Sequence, residues 1–228
     1  MLDYRHMLDY RQRIDTLITK IEKARIAYSR HHIVKIVAVS KNASPEAIQH
    51  YYNCSQRAFG ENRVQDLKIK MHSLEHLPLE WHMIGSLQEN KINALLSLKP
   101  ALLHSLDSLK LALKIEKRCE TLGVTLNALL QVNSAYEESK SGVVPEEALE
   151  IYSQISETCK RLKLKGLMCI GAHTNDEKKI EKSFTTTKKL FDQIKNASVL
   201  SMGMSDDFEL AIACGANLLR IGSFLFKE

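Results

Sequence analysis

The sequence predicts a single (β/α)8 barrel, and three observations favour that fold. Eight short β-like runs occur in the 228 residues, and helix-like stretches separate almost all of them. Strands that alternate with helices indicate a parallel sheet. No linker rich in proline, glycine or serine divides the chain, so we expect one domain over residues 1–228. An open doubly wound sheet is the alternative.

Several of the predicted strands are continuously apolar, as expected of strands that are buried on both faces. The eight strands are predicted at Ile33–Lys41, Ala58–Asn62, Glu80–Leu87, Leu102–Asp107, Leu126–Asn133, Gly166–Gly171, Val199–Ser205 and Leu218–Phe224.

Helix signals lie before and between these strands. Apolar residues at helical spacing predict a helix within Tyr10–Ser29. A serine followed by a proline opens a second helix at Ser44–Glu46, and we interpret Val144–Glu147 as another proline-marked start. Asp207–Cys214 is helical in pattern and is closed by Gly215.

The composition is that of an ordinary globular protein, with 44% hydrophobic and 26% charged residues. No apolar run reaches the roughly 18 residues of a membrane span, and no secretory signal opens the chain, so we expect a cytoplasmic protein that does not contact membranes. The five scattered cysteines form no C-x-x-C pair and predict neither disulfides nor a metal site.

The net charge of +5 does not by itself indicate a nucleic-acid partner, because basic and acidic residues are interspersed. The densest basic run, Lys160–Lys165, is predicted to be the solvated end of a helix. Near the start, Met1–His6 is almost repeated as Met7–Gln12. We therefore expect residues 1–6 to be frayed, with Met7 as an alternative start.

Polar and small residues crowd the ends of the predicted strands. In a parallel barrel the carboxyl ends of all strands meet at one mouth, where functional groups gather. The residues at these ends are Lys41, Glu61, Asn62, Gly85, Ser86, Asp107, Ser108, Asn133, Gly171, Ser205 and Arg220–Ser223.

The last two strand ends predict a phosphate site. Ser205 precedes a helix, where free backbone N–H groups favour an anion, although a plain capping serine is the alternative. Gly222 allows a ligand to approach the backbone closely, and Ser223 offers a hydroxyl group. Phosphate sites after strands seven and eight recur in this fold.

Lys41 ends the first strand, which neighbours the eighth strand in a closed barrel. A Schiff base with a phosphate-bearing aldehyde relieves the cost of a cation there, and pyridoxal phosphate fits. Arg220 can donate to a pyridine nitrogen but cannot accept from it, which makes the ring a poor electron sink. The alternatives for Arg220 are a salt bridge to a neighbouring carboxylate and a direct contact with the phosphate.

Seven segments resemble the pyridoxal phosphate homeostasis protein family (YggS/PROSC), in order along nearly the whole chain. WHMIGSLQENK and SMGMSDD are specific motifs. The segments are Ile36–Lys41 (IVAVSK), Phe59–Asn62 (FGEN), Trp81–Lys91 (WHMIGSLQENK), Gln131–Gly142 (QVNSAYEESKSG), Gly166–Met168 (GLM), Ser201–Asp207 (SMGMSDD) and Leu219–Ser223 (LRIGS).

The resemblance implies one barrel of the alanine racemase N-terminal type, with pyridoxal 5′-phosphate held on Lys41. It implies that three residues bind the phosphate, that Arg220 lies near the pyridine nitrogen and that Asn62 lies near the cofactor. The phosphate-binding residues would be Ser205, Gly222 and Ser223. His82 and Gly85 would shape the mouth, although a buried structural role for His82 is also open.

Two segments depart from the family pattern. The family usually has threonine where Ser223 stands, a change that keeps the hydroxyl group. After GLM the chain reads Cys169–Thr174, where the family has an apolar or proline-containing stretch. His173 in this segment is expected to be a solvated loop residue, with a contact at the rim as the alternative.

A racemase needs a second proton-transfer group, which the racemases take from a tyrosine of another domain. This chain stops at Glu228, just after the eighth strand, and Tyr51, Tyr52 and Tyr136 fall on helix or loop patterns. We therefore expect a monomeric protein of cofactor homeostasis without catalytic residues, which delivers pyridoxal phosphate to apo-enzymes. An amino-acid racemase or a Schiff-base lyase is the alternative, and a scaffold role is a weaker one.

Overall fold

The computed structural model describes residues 4–137 and 140–226, which form a closed barrel of eight parallel strands. Each strand pairs with the next, and β1 pairs with β8. The predicted barrel is therefore confirmed, and the open sheet is wrong. The strands are β1 Lys35–Val39, β2 Ala58–Glu61, β3 Glu80–Met83, β4 Leu102–Leu106, β5 Leu126–Val132, β6 Leu162–Cys169, β7 Val199–Ser201 and β8 Leu218–Ile221.

Helices precede the barrel and surround it. Within the described ranges they are α1 Tyr4–Tyr28, α2 Pro45–Asn53, α3 Val64–Ser73, α4 Ile92–Leu98, α5 Leu109–Leu122, α6 Ala148–Thr158, α7 Glu177–Phe191, α8 Phe208–Ala213 and α9 Ser223–Phe226. A short 3-10 turn, Glu89–Lys91, precedes α4. Of the segment expected to be frayed, residues 1–3 lie outside the described residues, and the backbone from Tyr4 is helical. None of these helices combines the length and the apolarity that crossing a bilayer requires.

Apolar side chains form two separate clusters, one on each face of the sheet. The larger cluster fills the space between the strands and the surrounding helices. The smaller cluster occupies the inner face of the barrel, because its members alternate with residues of the outer cluster along the strands that carry them. The inner cluster contains Val37, Ala58, Leu102, Leu129, Met168 and Leu218. Several of the other inner-face positions belong to polar residues, which are described below.

The basic run Lys160–Lys165 does not end a helix, and that prediction is wrong. Helix α6 stops at Thr158, and the run leads into β6. The cause lies in α5, where the buried carboxylate of Glu116 accepts hydrogen bonds from three consecutive backbone N–H groups. These are the N–H groups of Lys160 at 2.7 Å, Arg161 at 3.0 Å and Leu162 at 2.7 Å. The charges that suggested a helix terminus therefore lie at the start of a strand.

Helix starts were predicted with mixed success. The hydroxyl of Ser44 accepts a hydrogen bond from the N–H of Ala47, which confirms the capped start of α2. Val144–Glu147 instead forms a turn, in which the N–H of Glu147 donates to the carbonyl of Val144 at 3.1 Å. Helix α6 begins only after that turn, so the predicted start was too early.

We predict that Glu116→Gln lowers the free energy of unfolding by about 2–3 kcal/mol, because an amide replaces a carboxylate that receives several N–H groups. Chemical denaturation measures this change. Glu120→Gln, at an exposed position of the same helix, is the control and should cost no more than about 0.5 kcal/mol. Equal stability of the two variants would contradict the anchoring role of Glu116.

Candidate functional site

Lys41 lies at the mouth of the barrel, two residues beyond the end of β1. Val37 belongs to the inner cluster, and the side chain of Val39 lies 3.4 Å from the position that a Cβ of Gly222 would take. Continued alternation places Lys41 on the same inner face. Its side chain is exposed, and within residues 4–137 and 140–226 its amine makes no hydrogen bond or ion pair. The predicted strand Ile33–Lys41 was thus two residues too long at each end.

The backbone immediately before Lys41 is fixed from the outer face of the sheet. The hydroxyl of Ser40 donates to Glu61 Oε1 at 2.5 Å, and Lys70 Nζ donates to the same oxygen at 2.8 Å. Lys70 Nζ also donates to the carbonyl of Ser40 at 2.5 Å. This cluster ties β1, β2 and α3 together at the mouth. It also occupies the amine of Lys70, in contrast to that of Lys41.

Lys70 was not predicted as part of the site, and Glu61 was predicted only as one of the polar residues at the strand ends. A signal was available for both. Glu61 is part of the FGEN segment, and Lys70 continues the three-residue spacing of Val64 and Leu67, which places it on the buried side of α3. A lysine on a buried stripe needs an anionic partner, and Glu61 is that partner.

Gly222 and Ser223 follow β8 at the point where α9 begins. Around Gly222 the nearest atoms to a hypothetical Cβ belong to Val39, at 3.4 Å and beyond, so the backbone is open to close approach. Ser223 is exposed. Because β1 and β8 are paired in the barrel, these residues and Lys41 occupy adjoining strand ends.

Ser205 was predicted to end a strand and to stand at the start of the helix that is now α8, and both details are wrong. Strand β7 already ends at Ser201, because the chain turns at Gly203, whose φ is +90°. The hydroxyl of Ser205 instead accepts hydrogen bonds from the N–H groups of Gly222 at 3.2 Å and Phe224 at 3.1 Å. Ser205 therefore contacts the start of α9.

Arg220 lies in β8 with its side chain buried in the interior. Nη1 donates to the carbonyl of Ser201 at 2.9 Å and to its hydroxyl at 2.6 Å, and Nη2 donates to the carbonyl of Cys169 at 2.9 Å. No carboxylate of the described residues forms a salt bridge with it, so that alternative is not what the structure shows. Burial lowers the pKa of Arg220, which nevertheless stays protonated as arginine does.

The other residues of interest lie in different surroundings. Asn62 follows β2 and is half-buried, two positions after Gly60 on the inner face. A Cβ on Gly85 would lie 2.2 Å from the carbonyl oxygen of Asn62, so only glycine fits there. His82 is buried inside the barrel and does not shape its rim. His173 is exposed in a loop, as expected.

The structure thus brings Lys41, Ser205, Gly222 and Ser223 to adjoining ends of the barrel, with Arg220 deeper on β8. Asn62 follows the neighbouring strand β2. No group of three or more His, Cys, Asp or Glu side chains in the described part of the chain is placed to hold a metal ion. The arrangement offers one free amine, an exposed hydroxyl and a buried guanidinium group.

Comparison with known proteins identifies the family. The family model described as "Alanine racemase, N-terminal domain" matches residues 14–228. A pyridoxal phosphate homeostasis protein of Helicobacter pylori strain J99 is 97% identical over 222 residues, which are 97% of this chain and 100% of that protein. The protein of the same name from Aquifex aeolicus is 38% identical over 223 residues, 95% of this chain and 97% of that protein.

A solved structure is similar over almost its full length. It is PipY of Synechococcus elongatus with pyridoxal phosphate bound, which is 30% identical and superposes with a TM-score of 0.82. The match covers 95% of this chain and 99% of that chain. Together with the family model, these relatives show that the chain belongs to the pyridoxal phosphate homeostasis protein family, which has the barrel of the alanine racemase N-terminal domain.

Proposed function

We propose that this protein binds pyridoxal 5′-phosphate as a Schiff base on Lys41 and keeps the reactive aldehyde in store, without sustained catalysis. The observation that carries the proposal is the free amine of Lys41 beside the N-terminal start of α9. The names of the relatives and the pyridoxal phosphate bound to PipY support it.

Lys41 suits the covalent role because its amine is uncommitted. The amine of Lys70 is bound to Glu61 and Ser40, and that of Lys140 donates to Glu137 at 2.9 Å and to the carbonyl of Gly171 at 2.7 Å. Lys41 Nζ, in its unprotonated form, would supply the nitrogen of the carbon–nitrogen double bond to the aldehyde carbon, and the aldehyde oxygen would leave with the two amine protons as one water molecule.

The start of α9 fits a phosphate group. The N–H groups of Gly222 and Phe224 point to one place, which the hydroxyl of Ser205 marks by accepting from both. Acceptor oxygens of a phosphate can take bonds from such amides, and Gly222 leaves room for their approach. Ser205 and the exposed hydroxyl of Ser223 add further polar groups at the same end of the barrel.

The hydrogen bonds of Arg220 suit a residue that binds the pyridine nitrogen of the cofactor, rather than one that takes part in catalysis. Three of its five N–H groups are held by Ser201 and Cys169, which leaves N–H groups for a ligand. A guanidinium group donates only, so a pyridine nitrogen facing it stays unprotonated and stabilises a carbanion poorly. We propose that Asn62, which follows β2, lies beside the same pyridine ring.

The hydrogen bonds of two tyrosines support a binding role without racemisation. The hydroxyl of Tyr51 donates to the carbonyl of Leu225, and that of Tyr136 donates to Glu146. Tyr51 is buried in the outer core. Neither hydroxyl is free to serve as the second proton-transfer group that racemisation needs.

We also propose that the protein is a monomer in the cytoplasm. It would pass pyridoxal phosphate to apo-enzymes that use this cofactor. The five cysteines support a reducing compartment, because all of them are free thiols in the described part of the chain.

We predict that Lys41→Ala abolishes the covalent adduct. Wild-type protein incubated with pyridoxal phosphate and reduced with borohydride should carry one pyridoxyl group on Lys41, which peptide mass spectrometry locates. Lys68→Ala, which removes another exposed lysine, is the control and should keep the adduct. An adduct on a different lysine in the wild type would contradict the assignment.

We predict that Ser205→Ala weakens binding of pyridoxal phosphate by about 10-fold or more. The reason is that the Ser205 hydroxyl, once the phosphate has taken over the amides of Gly222 and Phe224, donates its proton to the phosphate, and the variant loses this charge-assisted bond. Binding of pyridoxal, which has no phosphate, should change little, and titration by absorbance measures both. Ser198→Ala, before the start of β7, is the control. Equal losses for the two ligands would show that Ser205 does not contact the phosphate.

We predict that the loaded protein racemises alanine no faster than free pyridoxal phosphate does, because neither Tyr51 nor Tyr136 is free to act as the second base and the ring is a weak electron sink. Chiral chromatography of the products measures the rate. Turnover well above that of the free cofactor, and lost in Lys41→Ala, would favour the racemase alternative, and a lyase is tested in the same way with phosphorylated aldehydes or ketones.

A further inference from the structure

A chain of polar side chains crosses the interior of the barrel and ends at Arg220. It begins where β1 and β3 start and reaches β8 through β4 and β7. Each member contacts the next by a hydrogen bond or an ion pair. We call these residues the interior relay, and they are Lys35, Glu80, His82, His104, Ser201 and Arg220.

The outer end of the interior relay is an ion pair at the pole of the barrel opposite the mouth. Lys35 Nζ lies 2.5 Å from Glu80 Oε1, and their side chains are 45% and 37% exposed. The hydrogen bond from His82, with help from Lys35, lowers the pKa of Glu80 to about 2. Glu80 is therefore a carboxylate at neutral pH, and it can only accept hydrogen bonds.

The carboxylate determines which ring nitrogen of each histidine carries the proton. His82 Nε2 lies 2.8 Å from Glu80 Oε1, so it must donate, which leaves Nδ1 of a neutral ring as an acceptor. His104 Nε2 lies 2.8 Å from that Nδ1 and must donate to it. His104 Nδ1, at 3.1 Å from the hydroxyl of Ser201, is then an acceptor. Burial lowers the pKa of both rings, which agrees with neutral forms.

The inner end holds the guanidinium group. The hydroxyl of Ser201 donates to His104, so its oxygen is free to accept from Arg220 Nη1 at 2.6 Å. All four hydrogen bonds from Arg220 to Glu80 therefore point in the same direction, towards the carboxylate. Bonds aligned in this way polarise one another, which strengthens the hold on Arg220.

We propose that Glu80, His82 and His104 are positioning residues, which fix the guanidinium group of Arg220 from the opposite pole of the barrel. The part that concerns the ligand rests on the proposed function, in which Arg220 faces the pyridine ring. The interior relay then couples the exposed Lys35–Glu80 pair to the ligand, although neither residue touches it. The charged groups that face the relay are Lys35 from β1, Arg220 itself and, near Arg220, Asp207.

The first test uses ligand-free protein and reads the proton positions directly. Nitrogen NMR of histidine-labelled protein, assigned with His82→Gln and His104→Gln, should show both rings neutral with the proton on Nε2 at neutral pH. A charged ring, or a proton on Nδ1 of His104, would overturn the proposal. This result does not depend on any ligand.

The second test compares Glu80→Gln with Glu89→Gln, which removes a surface carboxylate paired with Lys114 on the outside of the barrel. Without ligand, exchange of the Arg220 guanidinium N–H protons with water should accelerate about 10-fold in Glu80→Gln and stay unchanged in Glu89→Gln. Unchanged exchange in both variants would overturn the proposal. Because Glu80 is partly exposed, thermal unfolding should confirm that both variants fold.

The third test adds pyridoxal phosphate. Glu80→Gln should weaken its binding about 3- to 10-fold and shift the absorption band of the bound cofactor. The variant loses the charge-assisted bond between Glu80 and His82, and the hydrogen bonds that connect His82 to Arg220 weaken with it. Glu89→Gln should do neither. If wild-type protein bound no pyridoxal phosphate, the proposed function would fail, and the two ligand-free tests would still decide whether the interior relay holds Arg220.

Discussion

Hydrogen bonds between β1 and β8 join the first strand of the barrel to the last, with Lys35 opposite Leu218 and Val37 opposite Arg220. The contact closes a loop that spans most of the chain, whose entropic cost grows only slowly with loop length. It also turns two segments that are distant in sequence into neighbours. Lys41 reaches the surroundings of Gly222 only because this pair of strands forms. Loss of the register by one residue would turn Lys41 to the outer face.

Arg220 imposes the second constraint on the interior. A buried cation without a carboxylate partner is expensive, and the fold compensates with two carbonyl groups and one hydroxyl. The carboxylate of Asp207 acts on it electrostatically without forming a salt bridge. An acceptor that approaches the remaining N–H groups meets a charge that water does not screen.

Much of the fold could be predicted from the sequence, because the alternation of apolar strands with helices extends along the whole chain. The start of β6 was missed because Glu116, far away in sequence, binds the N–H groups before it. The prediction of Ser205 as a strand end failed for a different reason. Gly203 has a φ of +90° and turns the chain earlier than the apolar run suggests.

Of the candidate site, the residues at strand ends could be found, whereas those that support them could not. Lys41 and Gly222 stand out because a lysine and a glycine interrupt apolar runs. Glu80, His82 and His104 carry a weaker signal, namely polar residues at alternating positions of buried strands. Alternation indicates that they share the inner face, but only the closed barrel shows which of them meet.

The hydroxyl of Ser205 already occupies the amides of Gly222 and Phe224. In the proposed site, an arriving phosphate must therefore compete with an internal occupant, so that binding exchanges bonds and does not simply add them. A neutral bond of about 1 kcal/mol is replaced by a charge-assisted one of about 1.5–3 kcal/mol. The net gain in binding free energy is moderate. When the phosphate dissociates, Ser205 accepts from both amides again, so that neither is left without a hydrogen-bond partner. Reversible phosphate binding of this kind suits a protein that binds pyridoxal phosphate and later releases it.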